Sequence, residues 1–317
     1  EIYKKSKYLD DSIAESTGIW AGRHFETDDA IIFVGACGIA VRSIAPYVAS
    51  KKSDPAVLVI DECGKFVISL LSGHLGGANE LTLEVAELLG AVPVVTTATD
   101  LHHRFAVDVF AKKNCCGIQN MKAAKEVSAA LLAGEPVGFY SEFPWTGKLP
   151  EGLEESSEDT QDKPEIGIAV TIHPTCKPFT STVQIIPREV TLGMGCRRNK
   201  EADVIEKEAS VCLADADIYS QAVEKLTSIS IKKDEVGLQK LAEDWRIPFI
   251  TFEEEELSHA EGEFTPSEFV KKITGVNNVC ERSAVLGAEQ GRLIKNKTGR
   301  NGVTTALALR NWEVHFE

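Results

Sequence analysis

Residues 66–90 read FVISLLSGHLGGANELTLEVAELLG. Phe66 to Leu71 is a β-rich run. From Ala78 the apolar spacing becomes helical, with Leu81, Val85, Leu88 and Leu89 on one face and Gly90 as a stop. Between them lie Ser72, Gly73, His74, Gly76 and Gly77, and the helix opens with Asn79 and Glu80. The stretch is a strand, a glycine loop and a helix N-terminus. Such a junction offers unpaired backbone N–H groups and the positive end of a helix dipole to an anion. Its glycines let a ligand approach the backbone, and His74 can exchange a proton near neutral pH. A tight strand-to-helix connection that happens to hold a histidine accounts for the same residues, so the loop alone leaves both readings open.

The flanking sequence repeats the alternation. Ala30 to Val34, Ala56 to Asp61 and Val92 to Thr97 read as strands, and Ile39 to Ala49 as a short helix broken at Pro46. Glu62 to Lys65 is a turn. β-branched runs between helical patterns predict an α/β fold, with a largely parallel sheet and flanking helices in the N-terminal part. Gly35, Gly38 and Gly73 fall at or just after the carboxyl ends of strands, where such sheets bind ligands. Arg42 follows Gly38 and is either a carboxylate clamp or a surface residue.

A second block has helical patterns over 106–113 and 121–133 and a strand over 137–140. Pro150 to Glu165 carries Glu151, Glu154, Glu155, Glu158, Asp159, Asp162 and Glu165 against Lys163, and reads as a mobile, solvated loop. The third block is a separate C-terminal α/β domain. Strands are expected over 190–193, 229–231, 247–252, 292–295 and 303–309, and helices over 202–214, 216–226, 235–245 and 278–286. Thr265-Pro266-Ser267-Glu268 is a capping box. The expected division is 1–104, 105–187 and 188–317.

The chain has 317 residues, 43% hydrophobic and 26% charged, as expected of a folded globular protein. A formal net charge of −14 argues against a nucleic-acid partner, which needs a basic footprint. No apolar run is long enough to span a bilayer and no secretory signal is present, so the expectation is a cytoplasmic protein without a membrane partner. The eight cysteines form no CxxC pair and most are expected to be reduced, buried thiols. The seven histidines show no HxxxH spacing, and His102-His103 is expected to be a surface pair. No metal bound by the protein itself is expected.

Gly193-x-Gly195-Cys196-Arg197-Arg198 reads as a second strand-to-helix turn, where two guanidiniums could grip carboxylates bidentately. The spacing is not GxGxxG and no Walker motif is present. Cys196 is either a nucleophile or a small thiol packed beside the glycines. Asp61 and Asp100 end strands, as turn caps commonly do.

The run from Asp29 to Asp100 closely resembles the cobalt-precorrin-5A hydrolase family of anaerobic cobalamin biosynthesis. The likeness continues at Phe105-Ala106-Val107-Asp108, over 127–132, and through Leu192 to Arg198. It ends with Phe264 to Val270, Val279-Cys280-Glu281-Arg282 and Lys297 to Thr304. Family members open with one more β-α unit, so the N-terminal domain is expected to lack its first strand. The resemblance implies lactone opening on a cobalt corrinoid, with loss of a two-carbon unit as acetaldehyde and no cofactor beyond the cobalt in the substrate. Capping accounts for Thr265 and Glu268, and Glu281 and Arg282 could pair locally, but these clusters are part of the resemblance and their loop placement allows a substrate role. His74 with Glu80 is the expected acid–base pair, with Asp61 the further catalytic candidate. The alternative is a non-catalytic corrinoid-binding or carrier protein of the same pathway, and a homo-oligomer is open in either case.

Overall fold

The structure is a computed structural model and describes residues 1–50, 53–74, 76–97, 105–157, 162–268 and 275–316. The chain forms two compact units, Glu1–Val109 and Phe110–Glu317. Both are α/β. None of the described helices is long and apolar enough to cross a membrane.

The first unit holds α1 (Thr17–Phe25), β1 (Ala30–Val34), α2 (Cys37–Ile44), β2 (Ala56–Ile60), β3 (Phe66–Leu71), α3 (Ala78–Leu89) and β4 (Val92–Val94). The sheet order is β1-β2-β3-β4. The β1–β2 and β3–β4 pairs are parallel, and β2–β3 is an antiparallel hairpin. Every residue of β2 is buried, as an unbroken Ala-Val-Leu-Val-Ile run requires of a strand covered on both faces. On one face Ala21 and Phe25 of α1 and Ala40 and Ile44 of α2 meet Ile31, Phe33, Val57 and Val59. On the other, Ala78 and Ala86 of α3 meet Ala56, Leu58, Ile60 and Val67, with Leu81 and Val85 alongside. The expected apolar face of α3 is therefore shifted. Its small residues take the closest approach, while Leu88 and Leu89 are 79% and 52% exposed.

The second unit begins within α4 (Val107–Lys113). It continues through β5 (Gly117–Gln119), α5 (Met121–Ala133), β6 (Val137–Ser141), β7 (Trp145–Gly147), β8 (Leu153–Glu155), β9 (Ile166–Val170) and β10 (Ser181–Ile186). Strands β5-β10-β9-β6-β8 form one sheet. The acidic segment expected to be a solvated loop contributes β8, because Leu153 is buried while Glu154 and Glu155 stay exposed at the sheet edge.

The remaining elements are β11 (Val190–Cys196), α6 (Ala202–Asp215), β12 (Val223–Ile229), α7 (Val236–Trp245), β13 (Phe249–Phe252), α8 (Glu254–Ser258), α9 (Cys280–Gly287), β14 (Arg292–Arg300), β15 (Val303–Leu309) and β16 (Val314–Phe316). Their sheet order is β13-β12-β11-β15-β14. The helix expected over 216–226 is absent. Asp217 adopts a left-handed conformation (φ 53°) just after α6, and Val223 onward forms β12 between parallel neighbours, with Leu226, Thr227, Ser228 and Ile229 buried. Burial on both sides overrides local helical spacing. The eight cysteines are all free, but Cys63 and Cys115 are exposed and Cys212 and Cys280 alone are fully buried.

Strand β16 returns to the first sheet's region of this unit. Val314 to Phe316 pair in parallel with Trp145 to Gly147. Asn114 holds His315 by both backbone groups, at 2.8 and 3.0 Å. The Phe316 ring stacks on Phe110 at 4.9 Å and meets Phe139 and Trp145 edge-on.

Gly193 lies in the middle of β11, paired with Ala306, and not at a strand-to-helix turn. A Cβ there would lie 1.9 Å from the Cys280 carbonyl oxygen, so the glycine is the clearance that seats α9 on the sheet. Gly193→Ala is expected to push α9 outward and destabilise the protein by about 1–3 kcal/mol. Urea denaturation measures this; an unchanged midpoint would show that α9 can move freely.

Candidate active site

The junction between β3 and α3 is as expected in its elements and different in its bonding. Ser72 (φ 59°) and Gly77 (φ 83°) take left-handed conformations, and the chain folds back on itself. The Ala78 N–H donates to Ser72 O at 3.1 Å, Asn79 N–H to Gly73 O at 2.9 Å and Gly77 N–H to His74 O at 3.0 Å. The Ser72 hydroxyl donates to Asp54 O at 3.0 Å. Two helix-terminal amides expected to face an anion are thus engaged by the loop's own carbonyls. A Cβ on Gly76 would lie 2.3 Å from Ser72 Cβ, which is why this fold-back needs glycine. Asn79 is 7% exposed. It accepts from the Ser69 hydroxyl at 2.6 Å and donates to Thr97 Oγ1 at 3.1 Å, bracketing β3 to the segment after β4.

His74 sits on this closed loop with its side chain 15% exposed. Its Nδ1 lies 3.6 Å from Oδ1 of Asp108, in the first turn of α4. Glu80, the expected partner, is exposed in the first turn of α3. Asp108 belongs to the Phe105–Asp108 stretch of the sequence resemblance, yet nothing in its local pattern ties it to a histidine 34 residues earlier.

Asp61 proves to be the organiser of the β2–β3 hairpin. Its carboxylate accepts from the N–H groups of Phe66 (2.6 Å), Lys65 (2.7 Å) and Cys63 (3.1 Å). The Phe66 amide, with those of Cys63 and Lys65, holds its carboxyl below the usual carboxylate range. A carboxylate so engaged is a poor proton acceptor at neutral pH. Gly35 (φ 146°) donates to Ile60 O at 2.7 Å. Gly38 lies in the first turn of α2 one helical turn from Arg42, and Arg42 is exposed, with no ion-pair partner among the described residues.

In the second unit, Arg197 and Arg198 follow β11 directly and are exposed, again without an ion-pair partner among the described residues. The Arg197 N–H donates to Gly302 O at 2.9 Å, tying the turn to the β14–β15 hairpin. Glu235, 8% exposed, accepts from Lys200 N at 3.3 Å and from Lys232 Nζ at 2.9 Å, and so anchors the far side of the turn. A Cβ on Gly195 would lie 2.8 Å from Thr304 Oγ1. The Cys196 thiol is pushed up to about 11 by burial, an effect that Lys232 only partly opposes. Little thiolate exists at neutral pH, which favours packing over nucleophilic attack.

The cluster around Glu281 is structural. Glu281 is fully buried. Its oxygens accept from Thr265 N (2.6 Å), Thr265 Oγ1 (2.8 Å), Asn278 Nδ2 (2.6 Å) and Lys297 N (2.6 Å). Arg282 donates to Asn277 Oδ1 and to Leu257 O at the end of α8, and lies over the Phe264 ring at 4.5 Å. Both side chains are engaged within the protein, and together they bind the 264–265 segment and β14 to α9. Glu268 is exposed; Asp100 and His102-His103 lie outside the described residues.

Three family models match the chain in order. These are Cobalamin synthesis G N-terminal over residues 20–100, Cobalamin biosynthesis central region over 105–187 and Cobalamin synthesis G C-terminus over 190–308. The chain is 37% identical over 300 residues to the cobalt-precorrin-5A hydrolase of Salmonella typhimurium, covering 91% of this chain and 84% of that protein. It is 35% identical over 298 residues to the cobalt-precorrin-5A hydrolase of Priestia megaterium, covering 89% and 79%. A stretch of 121 residues is 29% identical to Protein CobE of Sinorhizobium sp, 38% of this chain and 79% of CobE.

Proposed function

The chain belongs to the cobalt-precorrin-5A hydrolase family of cobalamin biosynthesis, and from that premise we propose that it opens the lactone of cobalt-precorrin-5A and releases the extruded two-carbon unit as acetaldehyde. The observation that carries this reading is the ordered match to both hydrolases over about nine-tenths of the chain. Cobalt enters as part of the substrate, and the reaction asks for no further cofactor. We place it in the cytoplasm.

The chemistry assigns roles to particular atoms. Water attacks the lactone carbonyl as His74 takes its proton. The resulting oxyanion needs donors, and the Gly73 and Gly76 amides are loop N–H groups that close no bond within the loop among the described residues. Collapse of the tetrahedral intermediate breaks the acyl C–O bond and frees a carboxylate and a hydroxyl. The hydroxyl then loses its proton as the adjacent carbon–carbon bond breaks; acetaldehyde departs and the bond's electron pair passes to the macrocycle. The exposed guanidiniums of Arg42, Arg197 and Arg198 suit the carboxylate arms of a corrinoid.

Incubation of the protein with the lactone intermediate, with aldehyde trapping, tests the reading. Trapped acetaldehyde supports hydrolysis; tight binding without it makes the protein a corrinoid carrier. Arg197→Ala or Arg198→Ala is expected to weaken corrinoid binding by about 1.5–3 kcal/mol, the range for a lost charge-assisted bond. Both side chains are exposed, so melting temperature should hold. Unchanged affinity in both variants would remove them from the substrate site.

A further inference from the structure

A carboxylate beside one nitrogen of an imidazole decides what the other nitrogen can do. Asp108 Oδ1 lies 3.6 Å from His74 Nδ1, and the two side chains are only 20% and 15% exposed. Both are held from their own sides. Asp108 Oδ1 accepts from the Val109 N–H at 3.1 Å, which fixes the carboxylate at the start of α4. The His74 carbonyl is fixed by the Gly77 N–H, within a loop closed at Ser72 and Gly73 as well. Among the described residues, the other acids near this loop in the chain are engaged or turned outward. Asp54, before β2, accepts from the Ala49 and Ser50 amides, at 3.1 and 2.9 Å. Asp61 is bound into the β2–β3 turn, and Glu80 on α3 is exposed.

An ionised carboxylate can only accept a hydrogen bond. Facing Asp108, the neutral ring carries its hydrogen on Nδ1, and its lone pair is on Nε2. The negative charge also stabilises the imidazolium that forms when Nε2 takes a proton. A spacing of 3.6 Å exceeds a hydrogen bond and leaves the contact to tighten as that charge develops. Resting on the assignment of His74 as base, we propose that Asp108 is its positioning residue: it fixes the Nδ1–H tautomer and makes Nε2 the atom that accepts the proton from water.

The first measurement is the ¹⁵N spectrum of His74 in the histidine-labelled full-length protein, assigned by its loss in His74→Gln. Nδ1–H is expected at neutral pH; an Nε2–H tautomer would overturn the proposal, and this readout needs no Asp108 variant to fold. The second is kinetics of Asp108→Asn, Asp108→Glu and the double variant His74→Gln/Asp108→Asn. Asp108→Asn should lower kcat by about 10- to 10⁴-fold with KM within a few-fold, since the wrong tautomer is then favoured. The acid limb of its pH profile should move to lower pH, because the imidazolium has lost a negative neighbour. Asp108→Glu should recover part of the rate, and the double variant should be no slower than His74→Gln alone. Asp108→Asn with parental kcat and an unmoved acid limb, or additive losses in the double variant, would refute the pairing while His74 stays the base. A fully active His74→Gln would instead remove the base itself, and the pairing with it.

Discussion

His74→Gln is expected to slow acetaldehyde release from saturating lactone substrate by about 10²–10⁴-fold, the usual loss on removing a general base. Glutamine keeps a hydrogen-bonding side chain of similar reach but cannot carry a proton at neutral pH. The loop closes through the backbone carbonyls of Ser72, Gly73 and His74, which the substitution leaves in place. The variant should therefore fold, melt near the parental temperature and bind the corrinoid with affinity close to parental. A histidine serving only to hold the loop would give the reverse pattern, with lost stability and nearly normal turnover in the folded fraction. A rate within a few-fold of the parent would turn attention to Glu80, since Asp61 is bound into its turn and the Cys196 thiol is scarcely ionised.

Glu281→Ala is expected to have the largest effect on stability, about 3–5 kcal/mol. The substitution strips an acceptor from four donors at once: Thr265 N, Thr265 Oγ1, Asn278 Nδ2 and Lys297 N. The carboxylate is wholly inaccessible. Water reaches the vacated site poorly, and each unpaired donor costs about 1–3 kcal/mol. The donors come from the 265 segment, from Asn278 two residues before α9, and from β14, so the loss should loosen the packing of all three. Glu281→Gln, which keeps one acceptor oxygen, should fall between parent and Ala. Urea denaturation followed by tryptophan fluorescence measures both. If Glu281→Ala kept its midpoint and lost corrinoid affinity, the residue would return to the substrate site that the sequence resemblance suggested.

Local pattern was a sound guide where glycine punctuates it. Strand 66–71, helix 78–89 and helix 121–133 have the boundaries that the sequence predicts. Gly90 and Gly134 end the two helices in left-handed conformations that other residues adopt reluctantly. Pattern failed where a neighbour decides. Val223 to Ile229 is a strand because β11 and β13 flank it, and the Gly193–Cys196 stretch is a strand because β15 pairs with it residue for residue. The glycine at 193 announced a close approach, but could not say whether a ligand or α9 approaches. The same limit governs the site. His74 stood out by residue type and loop context. Asp108 did not, because only the path of the chain between them brings it to the imidazole. Glu281 is the converse: a charged residue in a family motif reads as a contact until its total burial and four donors are known.

The return of β16 has a consequence for how a cell makes this protein. Trp145 to Gly147 leave the ribosome roughly 170 residues before the strand that pairs with them, an interval of about 10–30 s at ordinary translation rates. Throughout that time the rings of Phe110, Phe139 and Trp145 lack the Phe316 ring that lies among them in the finished molecule. The first unit has its sheet partners already in hand, since its pairings lie within residues 30–94. A nascent chain stalled before residue 314 therefore carries a finished N-terminal unit followed by an open aromatic patch. Such an intermediate is a natural client for a chaperone that shields apolar surface until translation reaches the closing strand.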